Sequence, residues 1–286
     1  MKQLDLNTDI LIVGLGLIGG SYAKALTEKG YTVRAITKDQ KDIDYAIKNG
    51  FLTEGTVDDI EGFIKKSDLI ILSLYPHTLL EWVNKYGKFI RPDTLVTDVT
   101  GVKEHIINEV QKALPENVEF IAAHPMAGRE RSGVEHSDNS VFKGANYIIV
   151  PNSKNSEHSK KICEDLGKEL GFENISYLNA EKHDEMIAFL SQLTHCIAVT
   201  LMCTGNTEGF EKYTGDSFRD LTRIAKINDE MWSELFLCNK KALLEKMNEF
   251  SYQFDTFKTA LENSDRDKMR EMMKKSTIRR EKFDKQ

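Results

Sequence analysis

At 286 residues the chain is longer than one hydrophobic core usually serves, so two domains are expected. Its 40% hydrophobic and 29% charged residues describe a soluble globular protein, and a net charge of −6 argues against nucleic acid or an anionic membrane as the main partner. Cys163, Cys196, Cys203 and Cys238 form no CxxC pair, and no stretch approaches the ~20 apolar residues of a membrane span, so a cytoplasmic protein with reduced thiols and no metal site is expected.

In chain order, Asp9 to Val13 reads as a first strand and Ser21 to Lys29 as an amphipathic helix. Between them runs Gly14-Leu15-Gly16-Leu17-Ile18-Gly19, the GxGxxG spacing of a dinucleotide-binding turn. Gly14 permits the tight turn, Gly16 lets the backbone approach a pyrophosphate, and Gly19 allows close helix–sheet packing. The helix N-terminus at Leu17 and Ile18 then stabilises the phosphate charge. The second strand, Tyr31 to Ile36, is followed by Thr37 and Lys38, with Asp39 two residues late. An NAD-selective fold usually places Asp or Glu at the strand end for the ribose hydroxyls. A hydroxyl and a cation suit a 2′-phosphate better, which favours NADP over NAD; Asp39 is the ribose ligand in the other case.

Further apolar runs follow at Asp68 to Leu74, Thr94 to Asp98, Glu119 to Ala123 and Asn146 to Val150, with a helix from Ser156 to Leu170 and a strand near Ile175 to Leu178. Continuous apolar strands alternating with helices predict a Rossmann-type, doubly wound parallel sheet over residues 1–179. The loops after the Asp68 and Thr94 strands, carrying Leu74 and Thr100, should face a nicotinamide. Thr100 offers a hydroxyl there, or else caps the next helix.

His124 falls where the Glu119 strand ends, before Pro125 and Gly128, so a tight loop should begin there. Ligands of open α/β sheets bind at the carboxyl ends of strands. An imidazole at such an end, followed by Arg129 and Arg131, suits proton transfer on a small anionic substrate.

From Ala180 the pattern is helical alone, predicting an all-α domain over 180–286. Met186, Leu190, Leu193, Ile197 and Leu201 mark one stripe expected to be buried. Leu243, Met247, Phe250, Phe254, Phe257 and Leu261 form a coiled-coil-like seam expected to pair with a second subunit, giving a homodimer.

The glycine-rich start, the His124-Pro-Met-Ala-Gly-Arg-Glu-Arg-Ser-Gly133 loop and the helical segments Ser191 to His195 and Gly215 to Lys226 together resemble the prephenate/arogenate dehydrogenase family of tyrosine biosynthesis. The resemblance implies oxidative decarboxylation of prephenate to 4-hydroxyphenylpyruvate with NAD or NADP and no metal, His124 accepting the substrate hydroxyl proton. It implies that His195 belongs to the catalytic group and that Arg223, four residues after Arg219 and on the same helical face, binds a substrate carboxylate. Arg219 is a second candidate ligand, although Asp216 and Asp220 offer it simple ion-pair partners, and Trp232 would form pocket wall. Three alternatives stay open. Arogenate differs by an amine that Glu130 would favour. A β-hydroxyacid dehydrogenase would need a catalytic lysine on the first interdomain helix, in the region of His195, and Lys182 lies too early for it. A dinucleotide-sensing regulator would need no chemistry at all. This chain departs from the family pattern at Gly101, where a serine is usual, and at Gln192 and Thr194, where His and Pro are common.

Overall fold

The computed structural model describes residues 3–128 and 131–284. Strands β1 (Asp9–Val13), β2 (Thr32–Ile36), β3 (Glu54–Thr56), β4 (Leu69–Leu72), β5 (Leu95–Asp98), β6 (Glu119–Pro125), β7 (Asn146–Val150) and β8 (Asn174–Tyr177) form one sheet in the order β3-β2-β1-β4-β5-β6-β7-β8. Helices α1 (Leu17–Glu28), α2 (Gln40–Lys48), α3 (Ile60–Lys66), α4 (Pro76–Tyr86), α5 (Glu104–Ala113) and α6 (Glu157–Leu170) connect them. The two-residue period of the strands divides the apolar runs between two cores. Ile10, Ile12, Val33 and Ile71 pack with Tyr22 and Leu26 of α1 on one face. Leu11, Val13, Ile70 and Leu72 pack with Phe63, Trp82 and Ile106 on the other. This is the doubly wound α/β plan, with a switch point between β1 and β4 that opens at the carboxyl strand ends.

The sheet is parallel except at one place. β7 runs antiparallel to β6, with His124 opposite Ile148, and β8 is parallel to β7. A wholly parallel sheet was expected from the apolar runs, but a run buried on both faces carries no information about strand direction.

Beyond the sheet, α7 (Ala180–Ile187) continues through a π-turn at Ala188–Gln192 into α8 (Leu193–Met202), followed by α9 (Asp216–Thr222) and α10 (Asp229–Cys238). The stripe expected on α7 and α8 is shifted. Leu190 is exposed and Leu193 alone of that set is fully buried, while His183, Asp184, Ile187, Ala188, Gln192 and Ala198 face inward. One extra residue per turn in the π segment rotates the inward face away from the strict 3.6 period. Residues 180–202 also have a mean hydropathy of 1.4 over the most apolar window, so this helix is long and apolar enough to cross a membrane by length and composition. That corrects the expectation that no stretch approaches a span; its buried polar residues are engaged in the contacts described below.

Packing divides the chain at Asn239. Residues 1–239 form one compact unit and 240–286 a second. In the second, α11 (Lys240–Glu262) and α12 (Arg266–Arg280) are joined by a turn in which Ser264 takes φ +53°.

Candidate active site

The glycine turn fits a pyrophosphate. Gly14 has φ +97°, and a Cβ there would lie 2.3 Å from the Ser73 carbonyl oxygen, so only glycine lets the β1 and β4 loops meet. A Cβ on Gly19 would lie 2.0 Å from the Gly14 carbonyl oxygen. Gly16 has open space around its Cβ position, and the first turn of α1 carries no acidic residue. An approaching phosphate therefore meets backbone N–H groups and a helix N-terminus without a like charge. Leu17 is buried beneath this turn and Ile18 is half-buried, while the half-buried Leu74 packs beside Gly14.

At the end of β2, Thr37 and Asp39 are half-buried and Lys38 is exposed. Asp39 stands at the N-cap position of α2, but its carboxylate accepts no capping hydrogen bond there. Burial, with the carboxylates of Asp39 and Glu135 as further contributions, pushes the Asp42 carboxyl up from its ordinary value. Glu135 belongs to a short turn, Val134–His136, that follows the His124 loop. Next to it, the Ser137 hydroxyl reaches the Leu17 carbonyl at 3.3 Å. The His124 loop thus returns to the start of α1.

His124 lies at the carboxyl end of β6 with part of its side chain open. Its Nδ1 is 2.9 Å from His183 Nε2, and His183 Nδ1 is 2.7 Å from Asp184 Oδ1. The Asp184 carboxylate also accepts the backbone N–H groups of Lys103 and Glu104, each at 2.9 Å, and so caps α5 from another helix. Burial above all, then the neighbouring His183 and Lys103 charges, holds the His124 imidazole well below its ordinary value. Burial also lowers His183, with Asp184 opposing the shift.

Beneath this chain of rings lies a buried ion pair. Lys103 Nζ donates to Asp98 Oδ2 at 2.6 Å, both side chains fully buried, and Asp98 Oδ1 accepts the Ala123 N–H at 3.1 Å. That bond ties β5 to the residue preceding His124. The Thr100 hydroxyl belongs to this cluster. It hydrogen-bonds Asp98 and accepts from Lys103 Nζ at 3.2 Å. Neither expected use of Thr100 matches this geometry, because its hydroxyl is held under the loop and the N-cap position of α5 is Lys103. The neighbouring Gly101 is the residue that faces the histidine. A Cβ at Gly101 would sit 3.8 Å from His124 Nε2 and 3.5 Å from Leu235.

Leu235 brings α10 to this point, and α10 closes over the β4 loop as well. Glu234 accepts the His77 N–H at 3.0 Å, and Asn228 Nδ2 donates to the Tyr75 hydroxyl at 3.0 Å. Trp232 of α10 stacks on His195 of α8, ring centroids 3.7 Å apart at 30°. His195 Nδ1 faces the Ser191 carbonyl at 2.9 Å, and since a carbonyl only accepts, Nδ1 carries a hydrogen. Gln192 is buried and joins the helices: its Nε2 donates to the Leu235 carbonyl at 3.0 Å, and its Oε1 accepts from Asn239 at 2.8 Å. Arg223 begins a short turn, Arg223–Ala225, and is exposed. The Arg219 guanidinium pairs with Asp216 and donates to the Thr214 carbonyl at 2.8 Å, so it is committed to its own turn. Arg129 and Glu130 lie outside the described residues, and among the described residues no cluster of His, Cys, Asp or Glu is arranged to hold a metal.

Sequence reasoning missed His183 and Asp184. The available signal was an adjacent His-Asp pair one turn into the first helix after the pattern change. Without the fold, nothing brings that pair to the end of β6.

Comparison with known proteins agrees with this architecture. Residues 22–174 match the family described as prephenate dehydrogenase, nucleotide-binding domain, and residues 179–275 match prephenate dehydrogenase, dimerization domain. The chain is 29% identical over 263 residues to a prephenate dehydrogenase of Bacillus subtilis, covering 90% of this chain and 71% of that one. It is 30% identical over 281 residues to a cyclohexadienyl dehydrogenase of Zymomonas mobilis, covering 93% of each. Among solved structures, prephenate dehydrogenase from A. aeolicus in complex with hydroxyphenyl propionate and NAD+ superposes with a TM-score of 0.89 at 29% identity, over 99% of this chain and 100% of that one. With a family match over more than half its length, the chain belongs to the prephenate dehydrogenase family of NAD(P)-dependent oxidoreductases.

Proposed function

We propose that the protein is a prephenate dehydrogenase, catalysing the oxidative decarboxylation of prephenate to 4-hydroxyphenylpyruvate in tyrosine biosynthesis. The observation that carries this reading is His124, held by His183 at the carboxyl end of β6 on the dinucleotide side of the sheet. Residues 1–179 hold the dinucleotide through Gly14, Gly16 and Gly19, and residues 180–286 supply the substrate side. When bound, the nicotinamide supplies the electron acceptor. His124 Nε2 takes the proton of the ring hydroxyl, and the ring carboxylate leaves as carbon dioxide while the ring becomes aromatic. Arg223 binds a substrate carboxylate, and the stacked His195–Trp232 pair forms a wall against the ring.

For the cofactor we favour NADP, supported by Thr37 and Lys38 standing where a ribose-binding carboxylate would stand in an NAD-selective fold. For the assembly we favour a homodimer through the helical region, supported by the description of the family matched by residues 179–275. Following nicotinamide absorbance with prephenate and then arogenate, each with NAD and with NADP, tests the reading. Turnover of prephenate supports it; turnover of arogenate alone assigns the amino substrate, and no turnover of either defeats it.

A further inference from the structure

Resting on the reading of His124 as the base, we infer that His183 and Asp184 are positioning residues that set which nitrogen of His124 carries the proton. Asp184 accepts two backbone N–H groups at the start of α5, which holds its carboxylate in place. The same Oδ1 that accepts the Lys103 N–H lies 2.7 Å from His183 Nδ1, so that nitrogen donates and bears the hydrogen. In a neutral ring the other nitrogen is then an acceptor. His183 Nε2 lies 2.9 Å from His124 Nδ1, so His124 donates from Nδ1 and keeps its lone pair on Nε2. That lone pair points toward Gly101, whose Cβ position is 3.8 Å away and open enough for ordinary contact. The carboxylate therefore fixes the tautomer two rings away. His183 is fully buried, so water does not compete for either of its nitrogens. The opposite tautomer of His124 would point its Nε2–H at the substrate hydroxyl and leave no base.

Two substitutions separate the parts of this chain in the full-length protein. His183→Asn keeps an amide donor near Nδ1 for Asp184 but leaves nothing opposite His124. His183→Gln places an amide oxygen where Nε2 stood, able to accept from His124. Nitrogen NMR of histidine-labelled protein, with the His124 signals assigned by their loss in His124→Asn, reads the tautomer without any substrate. Wild type is expected to show His124 protonated on Nδ1, His183→Asn a shift toward Nε2, and His183→Gln a return to Nδ1. With prephenate, His183→Asn should lose roughly 10²-fold in kcat at unchanged KM, as when an orienting partner of a catalytic histidine is removed. His183→Gln should recover most of that loss. A wild-type His124 protonated on Nε2, a tautomer indifferent to His183→Asn, or a glutamine variant no better than the asparagine one would overturn the inference. Because the NMR arm needs no turnover, a protein that ignores prephenate but holds the Nδ1–H tautomer would fail the functional reading alone.

Discussion

His124 occupies surroundings that oppose its protonation, and this sets how activity and stability respond to acid. Burial and the neighbouring His183 and Lys103 charges lower its proton affinity, and burial lowers that of His183. A base of this kind stays neutral through neutral pH, so kcat should be flat there and fall only below about pH 6.5, the ordinary histidine value. Stability moves the same way. Above the unfolded value of about 6.5 both states are neutral and the contribution is complete. As pH falls toward the lower folded values, the unfolded chain binds protons the native protein refuses, so stability is lost. Denaturant midpoints should therefore decrease between about pH 7.5 and about pH 5, and a smaller decrease is expected in His183→Gln. Removing the imidazole tests the role directly: His124→Asn should keep the fold and cofactor binding while kcat drops roughly 10²–10⁴-fold, the usual worth of a positioned base. Near-full turnover in that variant would transfer the role to His195. Gly101 offers the complementary experiment. Its Cβ position meets Leu235 and His124 only at ordinary contact distances, so Gly101→Ser should fold at unchanged or slightly raised Tm. The added hydroxyl would lie beside His124 Nε2, and kcat/KM with prephenate is expected to rise; a large loss of Tm would show that the loop cannot accept a side chain.

At the scale of elements, legibility followed the strength of the local signal. The β1 turn was readable because three glycines at fixed spacing answer three separate demands, two of which appear as clashes, an added Cβ lying only 2.3 and 2.0 Å from a backbone oxygen. Strand positions were readable from apolar runs, but the antiparallel entry of β7 was not, since burial on both faces erases direction. The inward face of α7 and α8 was misread because a π-turn at Ala188–Gln192 breaks the period on which the reading relied. Thr100 was misassigned because its partner, the buried Asp98–Lys103 pair, forms only when the loop folds back on β5. Gln192 shows the same limit. In sequence it is only a departure from the family's usual His, whereas in the fold its amide links the π-turn to α10 and Asn239. The β2 end remains the element where sequence and surroundings make a direct test worthwhile. Lys38 is exposed there, and Asp39, Asp42 and Glu135 supply nearby negative charge. If Lys38 receives a 2′-phosphate, Lys38→Ala should weaken NADP binding much more than NAD binding in a titration of both. Equal loss, or a native preference for NAD, would reassign the ribose contact to Asp39.

At the scale of the whole molecule, the second compact unit leaves part of its apolar seam uncovered, with Leu243 buried and Met247 and Phe257 half-buried. Phe250 is 39% exposed, Phe254 63% and Leu261 60%, and Phe250 and Phe254 stack with centroids 6.1 Å apart. A two-helix unit has too little volume to enclose such a row by itself, and contiguous apolar surface of this kind marks an interface. A second copy of the chain is the simplest cover, because two-fold dimers are the commonest closed assemblies and present the same face to itself. Burying each of the two phenylalanines would contribute on the order of 1.5–3 kcal/mol. Phe254→Asp places a carboxylate within the exposed stripe, where burial without a partner charge is costly. In sedimentation the wild-type chain is expected to run as a dimer and the Phe254→Asp variant as a monomer or an aggregate. Activity should fall with it, on the reading that the substrate side of the site depends on the assembled helical region. A soluble, fully active Phe254→Asp dimer would show that the seam is covered by something other than its own copy.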